Sequence, residues 1–85
     1  MTKKQLNNIK NILIGTETTL HGISETVREI IDCYDPLDFN GENDLLNNSD
    51  ISFEWKNEDK ITEGINVIFE IVDNNLVKVT DIDTF

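Results

Sequence analysis

"GTETT", Gly15 to Thr19, decides how the first third of this chain folds. On either side of it the apolar residues fall at helical spacing. Leu6, Ile9 and Leu13 precede it; Leu20, Ile23, Val27, Ile30 and Tyr34 follow. With Thr16 in the vacant slot, steps of three and four alternate throughout, a heptad stripe that holds its phase across the interruption. Yet a glycine and three threonines cost a continuous helix roughly 2–3 kcal/mol against alanine. Two readings follow: one helix over 3–34, or a helical hairpin broken near Gly15–Thr18. In the second, Gly15 stops one helix and Thr18 or Thr19 caps the next. Thr2 followed by Gln5 is a capping-box pair for the first helix in either case.

The choice bears on assembly. A rod over 3–34 is about 48 Å long, whereas strands of six to eight residues reach only about 20–27 Å. A rod would therefore leave part of its stripe, with Leu6, Ile9, Leu13, Leu20 and Ile23 as candidates, for a second copy of the chain. A hairpin folds the excess back and needs no homodimer.

Beyond residue 50 the period changes to two. In "ISFEWK", Ile51, Phe53 and Trp55 alternate with Ser52, Glu54 and Lys56, the pattern of a half-buried strand. "NEDK", Asn57 to Lys60, reads as a turn. A second strand over 61–72 sets Ile65, Val67, Phe69 and Ile71 on one face, with Gly64 as the mark of a bulge. "DNN", Asp73 to Asn75, is the next turn, and a third strand over 76–82 brings Val77 and Val79 inward. A three-residue loop opposes Ile71 to Val77, Glu70 to Lys78 and Phe69 to Val79, apolar to apolar and acid to base. That register leaves Ile68, Val72, Leu76 and Ile82 on the outer face. The expected fold is α+β: an N-terminal helical segment (1–34), an acidic connector (35–50) and a three-stranded antiparallel sheet (51–82), in one domain over 1–85.

Charge narrows the function. The chain has 7 Lys and Arg against 17 Asp and Glu, net −10. Direct binding to nucleic acid needs cations to replace phosphate counterions, and an anionic membrane repels this chain. A basic protein partner is favoured, because opposite fields speed encounter. The imbalance is one-sided. Residues 1–31 sum to 4 − 3 = +1 and residues 32–85 to 3 − 14 = −11. The candidate contact groups are Asp35, Asp38, Glu42, Asp44 and Asp50 of the connector, with Glu58 and Asp59 of the turn.

Motifs for other chemistry fail on spacing. "DFNG", Asp38 to Gly41, resembles part of a calcium loop, but Pro36 and Asn47 occupy the positions that need carboxylates. His21 and Cys33 stand twelve residues apart, too far on one helix for a nucleophile–base pair. Neither a metal site nor a cofactor site is expected, nor an enzyme. Trp55 and Tyr34 read as core aromatics, or as anchors if they reach a rim. One cysteine, no secretory signal pattern and no long apolar run point to a cytosolic protein. Alanine is absent while Ile and Asn abound, as in AT-rich genomes.

In size, acidity, composition and helix-plus-sheet layout the chain resembles the small acidic inhibitors that phages and mobile elements encode against host nucleic-acid enzymes, anti-CRISPR and DNA-mimic proteins among them. The resemblance covers general character and carries over no residues. It implies occupation of a basic groove on a nucleic-acid-handling protein in the host cytosol. An immunity or antitoxin protein that neutralises a basic toxin would use the same physics, and a homo-oligomer built on the helix stripe is the rival of a different kind.

Overall fold

The computed structural model describes residues 2–33 and 36–85, leaving aside the side chains of Phe39, Asn40 and Glu42. It is α+β: three helices lie on one face of an antiparallel sheet of four strands, one of them very short.

The N-terminal segment is a hairpin. Helix α1 covers Lys3–Leu13 and α2 covers Leu20–Ile30. Thr2 and Gln5 form the capping box: Thr2 N donates to Gln5 Oε1 (2.8 Å) and Gln5 N to Thr2 Oγ1 (3.1 Å). Thr19 caps α2 by accepting from Gly22 N at 3.1 Å. Gln5 Nε2 also donates to Ile30 O (3.3 Å), which ties the start of α1 to the end of α2. The continuous rod is therefore overturned, and Gly15 is the reason. Its φ of 84° lies where a Cβ is disfavoured, and it turns the chain onto the sheet through Gly15 N to Val79 O (2.8 Å).

The residues that follow add a strand that sequence spacing did not reveal. β1, Glu17–Thr18, pairs antiparallel with β4, so the sheet has four strands where three were expected. Threonine's β-branch costs a helix but suits a strand, and the open edge of β4 supplies the ladder.

The stripe stays in phase because both helices lie on the same sheet. Ile9, Leu13, Leu20 and Ile23 are at most 2% exposed and Leu6 packs beside them as part of the core. The chain's own strands cover Ile9, Leu13, Leu20 and Ile23, so these four side chains are not free for a second copy. Tyr34, at the end of the expected stripe, lies outside the described residues.

The supposed connector also carries structure. Leu37–Leu46 forms α3, two helical pieces that meet at Gly41 (φ 71°, ψ 156°). Pro36 opens this helix rather than merely ending the previous one, as its fixed φ allows. Leu45 and Leu46 are buried in the core.

Strands β2 (Asp50–Lys56), β3 (Thr62–Asp73) and β4 (Leu76–Thr84) complete the sheet in the order β1-β4-β3-β2. The expected pairs Ile71–Val77, Glu70–Lys78 and Phe69–Val79 form. The turn differs: Asp73 pairs with Leu76, and a register shift at Val72 makes up the difference. A second shift leaves Thr80 unpaired between Phe69–Val79 and Ile68–Asp81. This bulge advances the face code by one, so Ile82 pairs with Val67 and is 2% exposed, not on the outer face as alternation suggests. Ile71, expected inside, is 51% exposed because β3 runs on past the end of the β2 ladder.

Gly64 marks no bulge; it pairs in register with Glu54. It admits the Phe85 ring instead. A Cβ there would lie 2.3 Å from Phe85 Cζ and 2.7 Å from Phe53 O. Phe85 and Gly64 exchange backbone bonds of 3.0 and 3.1 Å, which anchors the end of β4.

Candidate functional site

Of the seven acids singled out by sequence, the five whose side chains are described are spread over α3, the start of β2 and the β2–β3 turn. Asp35 and the Glu42 side chain lie outside the described residues. Asp38 and Asp44 are exposed on α3, while Glu58 and Asp59 are exposed in the β2–β3 turn. Asp50 alone reaches the sheet, half-buried at the start of β2.

The sheet assembles a different acidic surface. Ile51, Phe53, Ile65, Val67, Phe69, Val77, Val79 and Ile82 face the helices, so the alternate residues face away. Register then orders them in rows. Asp50, Ile68 and Asp81 cross β2, β3 and β4; Ser52, Asn66 and Asp83 form the next row. Glu70, Lys78 and Glu17 cross β3, β4 and β1, and Glu54 stands on β2. Six acids (Glu17, Asp50, Glu54, Glu70, Asp81, Asp83) share this face with Lys56 and Lys78, a balance of 2 − 6 = −4 before Asp73, paired with Leu76 at the turn, is added. All but Asp50 among these eight are exposed. Asp81 and Asp83 are about 6.7 Å apart along the strand, and Asp50 lies about 9.6 Å from Asp81 across two strand spacings.

Part of this array is held in place. Ser52 Oγ donates to Asn66 Oδ1 (2.9 Å), and Asn66 Nδ2 donates to Asp50 Oδ2 (3.2 Å). Asp81 Oδ1 accepts from Ile82 N (2.8 Å), and Thr80 Oγ1 donates to Ile68 O (3.3 Å). Two oriented carboxylates therefore flank the half-buried Ile68. Carboxylates so placed accept charge-assisted bonds from guanidinium or ammonium groups, and the isoleucine suits the apolar stem behind such a head.

Sequence reasoning passed over Glu17, Glu54, Glu70, Asp81 and Asp83, because acids at alternate positions read simply as the wet side of a strand. The signal that could have found them was already in use: the period that sends Phe53 inward sends Glu54 outward. The Thr80–Asp81 pair, two polar residues in succession, also announces the bulge.

At one end of the molecule an open groove of ≈ 670 Å³ runs between the start of α1, the end of α2 and the β2–β3 turn. Thr2, Ile30, Asp32, Trp55, Glu58 and Asp59 are among its walls. Trp55, half-buried, donates from Nε1 to Glu63 Oε2, and Asn57 Nδ2 donates to Glu63 Oε1, each at 3.1 Å. The Glu63 carboxyl is held down to about 2, with the hydrogen bonds from Asn57 and Trp55 among the causes. Asn57 also shapes the turn, since its Oδ1 accepts from Asp59 N and Ile61 N.

His21 lies in the first turn of α2 and Cys33 beyond its last. Roughly 14 Å of helix, from His21 to Ile30, and three further residues separate them, too far for a nucleophile–base pair. Among the described residues no group of three or more His, Cys, Asp or Glu could hold a metal ion, and no helix is long and apolar enough to cross a membrane. No family model, curated protein or solved structure matches this chain.

Proposed function

We propose that this chain is a small acidic inhibitor, phage or mobile-element encoded, that acts in the host cytosol by occupying a basic surface of a nucleic-acid-handling protein. The observation that carries the reading is the open sheet face, where rows of carboxylates stand at regular strand spacing beside only two lysines. A groove evolved to hold phosphates presents Arg and Lys at fixed intervals, and a rigid acidic sheet competes for it without the cost of ordering a flexible segment. Attraction between the opposite fields speeds the encounter.

The test uses purified basic nucleic-acid enzymes from a low-GC bacterium and the immobilised protein. Binding is expected to weaken steeply between about 0.05 and 0.5 M salt and to be displaced by duplex DNA. An Asp81→Lys/Asp83→Lys variant, folded by circular dichroism, should lose it. Retention that ignores salt, DNA and this variant alike would sink the reading.

A further inference from the structure

We propose that the chain also forms a twofold-symmetric dimer by pairing β2 antiparallel with β2 of a second copy, centred on Phe53. This does not rest on the inhibitory role and uses a different surface from the helix stripe.

Strand β2 is a sheet edge. Gly64 spends its backbone bonds on Phe85, and Asn57 N donates to Ile61 O. Alternation along an antiparallel ladder therefore puts Ile51, Phe53 and Trp55 in the hydrogen-bonded pairs with β3. The amides and carbonyls of Ser52, Glu54 and Lys56 point away from the sheet. Among the described residues nothing bonds to them. An exposed edge of seven residues is a template for another strand.

Outward groups must meet outward groups, so even-numbered residues pair with even-numbered ones, and few registers remain. Centring on Phe53 sets Asp50 opposite Lys56 of the second copy and Ser52 opposite Glu54 of the second copy, each twice by symmetry. On the helix side it sets Ile51 opposite Trp55 of the second copy, covering an indole that is half-exposed in one chain. Centring on Ser52 would place Asp50 against Glu54. Centring on Glu54 would place Glu54 against itself and Asp50 against Glu58. Centring on Trp55 sets Glu54 against Lys56 but overlaps only three residues of the strand. Like charges directly opposite destabilise a ladder, so of the registers that overlap five or more residues of β2 only the Phe53 one is complementary throughout. The product is a sheet of eight strands whose acidic face is doubled.

The experiment is sedimentation equilibrium of the full chain at about 150 mM salt, where long-range repulsion between copies is screened. A concentration-dependent dimer is expected, with Trp55 emission moving to the blue as it forms. Lys56→Asp should weaken dimerisation at least tenfold, and the swap Asp50→Lys/Lys56→Asp should restore it. Glu54→Pro removes one outward N–H without touching the β3 ladder; it should melt near the parent temperature and stay monomeric. A parent chain monomeric at about 500 µM would overturn the proposal, as would a folded Lys56→Asp or Glu54→Pro variant that dimerises like the parent, or a folded swap that does not.

Discussion

The two faces of this sheet are written in alternate residues of the same strands, and they answer to different forces. Toward the helices, Phe53, Val67, Phe69 and Ile82 are at most 2% exposed, so each is fixed by the volume around it. Away from them, Glu54, Lys78, Asp81 and Asp83 meet water, and of the acids there Asp50 and Asp81 are held by hydrogen bonds. One face sets whether the chain folds; the other can change its charge with little effect on folding. A binding surface of this kind can diverge while its scaffold stays constant.

Several substitutions would break or sharpen that contrast. The largest effect belongs to Phe53→Ala, which empties the centre of the packed face and should cost about 3–5 kcal/mol in urea unfolding. Gly64→Val follows at about 1–3 kcal/mol. Its new methyls meet both the Phe85 ring and Phe53 O, so adding Phe85→Ala should recover only part of the loss. Deleting Thr80 is a sharper trial. A one-residue deletion in a strand ordinarily turns its inner side chains outward, but here it removes the unpaired residue and leaves Val79, Asp81 and Ile82 in regular alternation. The expected loss is under about 1 kcal/mol, and a collapsed fold would show that the bulge does more than set the phase.

Acid titration probes the groove end. The folded Glu63 carboxyl sits at about 2, below its ordinary 4.5. Its contribution is present above pH 4.5 and is lost as pH falls toward 2. Trp55 emission should follow that loss, and Glu63→Gln should flatten the profile in this window. The smallest effect is that of Asp81→Asn/Asp83→Asn, within about 0.5 kcal/mol on stability, even as affinity for a basic partner falls.

Much of the architecture was legible. The capping box, the cap at Thr19, the alternation of β2 and the pairs from Phe69 to Val77 all follow from local chemistry, which short-range spacing records faithfully. Three features were not. The stripe through Leu13, Thr16 and Leu20 left rod and hairpin both open, because two helices on one sheet keep the phase that a single rod would show; only Gly15 and the threonines pointed to the break that the fold adopts. β1 is too short to carry a period and exists because β4 offers an open edge. Leu37, Leu45 and Leu46 are too widely spaced around Gly41 to announce α3. The acidic candidates were chosen by density along the chain, whereas the sheet gathers Glu17, Asp50, Glu70 and Asp81 from distant segments, and only the register reveals that neighbourhood.

The two-residue strand at Glu17–Thr18 has a kinetic consequence. It joins positions 61 residues apart, Glu17 and Lys78, so its ladder closes the longest loop of any strand pair in the sheet. The β3–β4 hairpin and the α1–α2 pair need only neighbours in sequence and can assemble within microseconds. β1 is therefore expected to zip onto β4 late and to open early, which would bare the backbone of β4 in a half-folded molecule.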